Sequence, residues 1–141
     1  MLQFRITLKD GFVLADLFGL VSVEAWEKVL HEVSQAIAPT GRDRLVMDLT
    51  GLVGWLGIPE RQAVGGLMAQ HFAAMKKVAL FIQPEKIKGV VATEARRLGL
   101  DLVMFSDLDE ATQWAVAADD APAGSRAPIT ALPGAAAGTP A

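Results

Sequence analysis

Apolar and polar residues alternate at the start of the chain and later recur with a helical spacing. Residues 2–8 and 12–18 predict two half-buried strands, and Lys9-Asp10-Gly11 predicts the turn of a β-hairpin between them. Gly19 is expected to end the second strand. Ser22 then predicts the cap of an amphipathic helix, because apolar residues follow at helical intervals. These apolar positions are Trp26, Val29, Leu30, Val33 and Ile37.

Short apolar runs alternate with helical patterns over the next part of the chain. The runs at 45–49, 78–82 and 102–105 predict buried strands. Helices are predicted from Pro59, over 85–98 with Ile87 facing inward, and after Asp107 with Leu108 on the buried side. The order β-β-α-β-α-β-α-β-α predicts an α/β fold, with a mostly parallel five-stranded sheet, an N-terminal β-hairpin and four helices covering both faces.

Two neighbouring glycines interrupt the helix that begins near Pro59. Gly65 and Gly66 each cost about 1 kcal/mol relative to alanine inside a helix. Close packing against a neighbouring helix is one explanation. A binding surface that needs access to the backbone is the other.

The composition changes after Ala117. Residues 118–141 are almost all Ala, Pro, Gly, Thr, Ser and Asp, with Ile129 and Leu132 as the sizeable apolar side chains. Such a segment buries too little surface to offset its ordering entropy. We therefore expect one domain over residues 1–117 and a disordered tail over 118–141.

Composition excludes several classes of function. The chain has no cysteine and two histidines, which leaves no thiol nucleophile, disulfide or multi-histidine zinc site. No glycine-rich nucleotide motif is present either, so no cofactor is expected. The net charge is −3 and the basic residues are scattered, which disfavours nucleic-acid binding. No apolar stretch is long enough to span a bilayer and no secretion signal is visible, so a cytoplasmic protein is expected. An open sheet has edges to protect, which makes a homodimer possible.

Two titratable side chains are candidates for chemistry. Asp48 ends a predicted central strand, where open α/β sheets place their ligands, but it can equally accept hydrogen bonds from the backbone that follows. His71 falls on the apolar stripe of its helix and is either a ligand group or a histidine at the edge of the core. Neither a nucleophile elbow nor a phosphate-binding glycine loop is present, so no catalytic residue is assigned.

The segment 50–57 contains three glycines and is predicted to be a loop. Trp55 lies within it, just before a helix. Its ring either plugs the end of the core or forms one wall of an apolar pocket at the carboxyl edge of the sheet.

In the order and spacing of these segments, the sequence resembles the STAS superfamily (sulphate transporter and anti-sigma factor antagonist domains), in particular its SpoIIAA-like branch. The resemblance spans about residues 2–117 and is carried by four stretches. These are Val46-Met47-Asp48-Leu49-Thr50-Gly51 with Gly54-Trp55, His71-Phe72 leading into Lys77-Val78-Ala79-Leu80-Phe81, Gly99 before Val103-Met104-Phe105, and Glu110-Ala111-Thr112-Gln113-Trp114. It implies a (β/α) superhelix, shared with lipid-binding CRAL-TRIO domains.

Anti-sigma factor antagonists carry a phosphorylatable serine at the start of the second helix. The corresponding residues here, about Leu56 to Pro59, have no hydroxyl group. A phosphate switch needs such a group at the helix N-terminus. The resemblance therefore implies a module without that switch.

Three hypotheses follow. The first is a non-enzymatic module that binds a small apolar, lipid-like or anionic ligand, or a protein partner. In it, Trp55 and Leu56 supply apolar surface, the amides near Gly57 receive an anion, and Glu60 and His71 form the rim, with Asp48 orienting the ligand. The second is a signalling protein of the anti-sigma factor antagonist type. The third is a small enzyme that uses Asp48 and His71.

Overall fold

The computed structural model describes residues 2–86 and 89–117. This part of the chain forms five strands and four α-helices, with short 3₁₀ turns at Ala38–Thr40 and Pro84–Lys86. In chain order they are β1 (Leu2–Lys9), β2 (Phe12–Leu20), α1 (Val23–Ile37), β3 (Arg44–Val53), α2 (Ile58–His71), β4 (Lys77–Phe81), α3 (Val90–Arg97), β5 (Leu102–Phe105) and α4 (Leu108–Val116). The proposed tail, 118–141, and Ile87 lie outside the described residues.

The five strands form one sheet in the order β1-β2-β3-β4-β5. β1 and β2 are antiparallel, and Lys9 pairs with Phe12, so Asp10 and Gly11 form the predicted hairpin turn. The other three neighbouring pairs are parallel. The predicted fold class, α/β with a mostly parallel five-stranded sheet, an N-terminal hairpin and four helices, is confirmed.

The strand order determines which face each helix covers. Each parallel strand lies beside the one before it, so right-handed crossovers place α1, α2 and α3 on the same face. Their apolar sides form the larger core with inward side chains of the strands, among them Leu45 and Leu80. On the opposite face, α4 packs over β3, β4 and β5 around Val46 and Trp114. Both faces carry helices, but three lie on one and one on the other.

Two helices begin at the predicted caps. The Ser22 hydroxyl accepts a hydrogen bond from the Ala25 N–H at 3.0 Å, and the predicted apolar stripe of α1 is buried. Asp107 accepts hydrogen bonds from the N–H groups of Asp109 and Glu110 at 2.8 and 3.2 Å. Both caps satisfy N–H groups that have no partner within their helix.

Two strands run further than predicted. Gly19 does not end β2, because the strand continues to Leu20 and Gly19 adopts a φ of +125°, which glycine tolerates. Residues 50–53 belong to β3 and not to a loop. A Cβ at Gly51 would lie 2.9 Å from the Phe18 Cβ, so the missing side chain lets β2 and β3 remain paired here. Gly51, which suggested a loop, therefore lies where two paired strands approach each other closely.

Two helical predictions were also wrong in detail. The helix predicted over 85–98 begins at Val90, because a 3₁₀ turn precedes it and Gly89 has a φ of +80°. Leu108 was expected on the buried side of α4 but is 37% exposed, since it is the first residue of the helix.

Close packing explains the first of the two glycines in α2. A Cβ at Gly65 would lie 2.6 Å from the Val91 carbonyl oxygen, closer than such atoms approach in proteins. Around a Cβ at Gly66, the nearest atom would be a Leu98 methyl at 3.8 Å. Of the two explanations for Gly65, helix packing is confirmed, and Gly66 makes no close approach to α3.

Candidate functional site

An apolar cavity of about 100 Å³ lies on the three-helix face of the sheet, at the carboxyl ends of β3, β4 and β5. Its walls come from the sheet and from α1, α2 and α3. The apolar side chains that form them include Leu49, Leu80, Met104, Trp26, Val64, Met68 and Val91. Open α/β sheets place their ligands at this edge.

Trp55 and Leu56 lie at the mouth of this cavity, where the chain passes from β3 to α2. The Trp55 side chain is 66% exposed, so it does not plug the core. The Arg61 guanidinium, one turn into α2, stacks 4.7 Å from the centre of the indole ring. The ring is thereby held as a wall of the opening.

An open groove beside the cavity runs between the N-termini of α1 and α2 and shares Val21, Trp55 and Leu56 with the cavity wall. Its sides include Glu24, Leu56, Gly57 and Glu60. The Glu60 carboxylate points back over the start of α2, with its Oε1 2.7 Å from where a Cβ on Gly57 would lie. The amides near Gly57, expected to receive an anion, thus already face a carboxylate of the chain itself. This groove is acidic, and an anionic ligand is disfavoured there.

Asp48 lies away from the cavity. Its neighbour along β3, Val46, packs on the α4 face, and Asp48 points to that same side because its position has the same parity. Its Oδ1 accepts hydrogen bonds from the Thr50 N–H at 2.9 Å and the Thr50 hydroxyl at 2.6 Å. Of the two explanations given for Asp48, the hydrogen bond to the following backbone is the one observed.

Asp48 also has a charged neighbour that the sequence did not indicate. Asp16 is its register partner on β2. Burial raises the pKa of the Asp16 carboxyl above its usual 3.8, and the nearby Asp48 charge raises that pKa further. Both carboxylates are partly exposed, on the sheet face that carries α4.

We predict that Asp16→Asn stabilises the protein at neutral pH by a few tenths of a kcal/mol, the usual size of a cross-strand charge effect. With its raised pKa, folded Asp16 keeps its proton at pH values where the unfolded chain has lost it. Stability therefore falls as the pH rises through that window, and the asparagine removes this loss. Urea unfolding at pH 7 and below pH 3.8 measures both limits, and the gain should vanish at the lower pH.

The matched control is Glu27→Gln, which removes an exposed carboxylate on α1 and changes the net charge equally. Its effect should not follow the same pH window. A gain for Asp16→Asn that persists at low pH would show that the ionisation of Asp16 is not its cause.

His71 is the last residue of α2, and α2 runs from the carboxyl edge of the sheet back towards the start of β4. Its ring packs edge-on against His31 of α1, with 5.8 Å between ring centres. It is therefore far along α2 from Trp55 and is not among the residues that line the cavity or the groove. Because Asp48 points to the opposite face of the sheet, the two side chains do not form the pair that the enzyme hypothesis requires.

Two residues at the cavity were not predicted. Arg61 lines its mouth from α2, and Lys86 lines it from the turn after β4. Arg61 precedes buried Val64 by one helical turn, and this spacing places it on the inward side of α2. No local pattern marks Lys86, whose position depends on the sheet.

Two further observations concern the described part of the chain. Across residues 2–86 and 89–117, no group of three or more acidic or histidine side chains is placed to hold a metal ion. None of the helices in these two ranges combines the length and apolar character needed to cross a membrane.

The architecture is that of a SpoIIAA-like fold. A crystal structure of an anti-sigma factor antagonist from Mycobacterium paratuberculosis superposes with a TM-score of 0.59, at 13% identity, over 82% of this chain and 94% of that one. An uncharacterised protein from Shewanella loihica with a SpoIIAA-like fold gives a TM-score of 0.56, at 19% identity, over 81% of this chain and 93% of that one. No protein-family model and no curated protein matches the sequence. At these identities the likeness is one of fold.

Proposed function

We propose that this chain is a non-enzymatic SpoIIAA-like binding module that holds the apolar part of a small ligand in the cavity behind Trp55. The observation that carries the proposal is the cavity itself, lined by apolar side chains at the edge where such sheets bind ligands. Trp55 and Leu56 keep the roles expected of them. Asp48 and His71 have no part in this site.

The size of the cavity limits the ligand. An apolar cavity of roughly 150 Å³ holds a benzene molecule. A cavity of about 100 Å³ accordingly suits a short alkyl chain or part of one ring, and not a whole lipid chain. Burying four methylene groups at about 0.8 kcal/mol each yields about 3 kcal/mol before the costs of binding, so contacts outside the cavity are needed for useful affinity.

Trp55→Ala is expected to weaken binding of a short apolar probe such as hexan-1-ol about tenfold, because it removes the wall of the mouth. Chemical-shift titration of ¹⁵N-labelled protein measures the affinity and locates the bound probe. Leu8→Ala is the control, since Leu8 is also an exposed apolar residue, on β1, but is not among the cavity-lining residues. Unchanged uptake by Trp55→Ala would argue against a pocket behind the ring.

A protein partner is the second candidate, and an exposed apolar patch favours it. Leu20, Val53, Trp55 and Ile58 are each about 60% exposed at the same end of the sheet, at 59, 62, 66 and 60%. Patches of this kind often mark interaction sites. The similarity to an anti-sigma factor antagonist is consistent with such a role. The first turn of α2, Ile58-Pro59-Glu60, has no hydroxyl group, so we propose docking that phosphorylation of this turn does not control.

Ile58→Asp separates the two candidates. Ile58 belongs to the patch but not to the cavity lining. If the apolar cavity is the functional site, this variant binds hexan-1-ol as the native chain does. If the variant still binds hexan-1-ol but no longer co-purifies with a protein that the native chain retains, the result would favour the protein-partner candidate.

A further inference from the structure

We propose that the ligand is a small amphiphilic anion, with its apolar part in the cavity and its carboxylate or phosphate group held at the mouth by Arg61 and Lys86. This inference rests on the proposed function and specifies its ligand. It is carried by the charges around the cavity and by the limited size of the cavity.

The charged side chains that line the cavity are all cations. Among the described residues of its wall, Arg61 and Lys86 carry charge and no carboxylate is present. The two cations come from separate elements, α2 and the turn after β4, and both line this cavity. An apolar cavity with two cations at its mouth matches a ligand with one apolar end and one anionic end.

Neither cation forms an ion pair with a carboxylate of the described chain. Arg61 stacks on the Trp55 ring, which leaves the edge of its guanidinium group available for a bidentate anion. The Lys86 ammonium makes one long contact, 3.5 Å to the Leu52 carbonyl oxygen. Elsewhere in the described chain, Arg97 does pair with a carboxylate, that of Glu94, at 2.5 Å.

The start of α3 adds to the positive potential on the same wall. Gly89 and Val90 line the cavity, and the first turn of α3 has neither a side-chain cap nor an acidic residue. The partial positive charge of the helix N-terminus therefore faces the mouth without compensation by a side chain. In the neighbouring groove, by contrast, Glu24 and Glu60 carry negative charge, which directs an anion to the cavity.

The test compares three probes with the same six-carbon chain: hexanoate, hexyl phosphate and hexan-1-ol, titrated into ¹⁵N-labelled full-length protein. We expect the native chain to bind at least one of the two anions about tenfold more tightly than the alcohol, since each charge-assisted hydrogen bond contributes about that factor. Whichever anion binds more tightly identifies the headgroup.

Arg61→Gln and Lys86→Gln are each expected to reduce the affinity for the anion three- to tenfold more than the affinity for hexan-1-ol. Arg61→Gln should also weaken alcohol binding, because it removes the group that stacks on the Trp55 ring. Lys28→Gln is the control, because it removes an exposed cation on α1 that is not part of the cavity lining. The preference for the anion should also weaken as the salt concentration rises.

Each result has one meaning. If the alcohol binds at the cavity as tightly as both anions, or if the glutamine variants bind the anions unchanged, the anionic ligand is wrong and the apolar cavity site stands. If the anions shift resonances of Glu24, Gly57 and Glu60, which line the groove alone, and not those of the residues that line the cavity alone, the assignment of Arg61 and Lys86 is wrong. If no probe shifts the cavity resonances, both the anionic ligand and the proposed function are wrong.

Discussion

Replacing Gly65 by alanine is expected to destabilise the protein by up to about 2 kcal/mol, whereas Gly66→Ala is expected to stabilise it by up to about 1 kcal/mol. Both substitutions gain the same helix propensity. They differ in what the new methyl group meets. At Gly65 the contacts are the Val91 carbonyl oxygen at 2.6 Å and the Glu94 Cβ at 2.9 Å, atoms that no side-chain rotation can move away.

The penalty at Gly65 arises because α3 has to shift as a body. Overpacking of this kind costs roughly 1–3 kcal/mol, from which the propensity gain is subtracted. Urea unfolding of the two variants, with unchanged slopes and separated midpoints, measures the difference. Because Val91 also lines the cavity, Gly65→Ala should additionally weaken probe binding, and Gly66→Ala should not. Equal stabilities of the two variants would show that α2 and α3 are further apart than the structure has them.

The sequence could not distinguish these two glycines. Both lie in the middle of the same helix, and α2 has apolar residues around much of its circumference. No local pattern therefore indicates which glycine contacts α3. Elements with local determinants were predicted well. The hairpin turn at Asp10-Gly11 and the caps at Ser22 and Asp107 depend on neighbours a few residues away, and each was found.

Long-range pairing accounts for most of the errors in the fold. Gly51 lies in a glycine-rich segment typical of a loop. β3 nevertheless continues through it, because β2 pairs with it and Gly51 has no side chain to clash with β2. Gly19 is a strand residue for the same reason, since it pairs with strands on both sides. Local propensity is overridden wherever two neighbours complete the hydrogen bonding of a segment.

The candidate site shows the same difference between local and long-range determinants. Trp55 and Leu56 were placed correctly at the carboxyl edge of the sheet, because the chain must pass there between β3 and α2. Asp48 was grouped with them because it ends a predicted central strand at that edge, although its position in the alternation of β3 points it to the α4 face. His71 was included by its helical phase alone, but α2 carries it away from that edge. Grouping side chains into a site therefore requires the direction of each element as well as its pattern.

Lys77→Met is expected to cost about 2 kcal/mol, the largest loss we predict for a single residue outside the α2–α3 contact. Lys77 is 4% exposed at the start of β4. Its ammonium donates hydrogen bonds to the carbonyl oxygens of Trp114 at 3.0 Å and Ala117 at 3.2 Å, and lies 5.0 Å from the centre of the Trp114 ring. It thereby neutralises the negative end of α4, the helix that covers the second face of the sheet.

Methionine matches the length of the lysine stem but has no donor. A buried ion pair can often be replaced by apolar residues without loss, provided that both partners are replaced. Here the partners are backbone carbonyls, which no substitution removes, so the variant takes a charged donor away from both of them. Lys76→Met is the control, because Lys76 is the adjacent residue and its side chain is 57% exposed, with a 3.9 Å ion pair to Asp43. Its effect should stay within about 0.5 kcal/mol.

Arg44 provides the strongest check on this explanation. It is the register partner of Lys77 on β3 and donates to the carbonyl oxygens of Ala115 at 2.6 Å and Ala117 at 2.7 Å, so the two cations share one acceptor at the end of α4. If they hold the same helix end, losing one frees that end and lowers the cost of losing the other. The double variant with Arg44→Met should then be less destabilised than the sum of the single variants by about 0.5–1 kcal/mol. Strict additivity would mean that each cation acts on the sheet independently of α4. Hexan-1-ol affinity should stay unchanged in all three variants, because α4 and the cavity lie on opposite faces of the sheet.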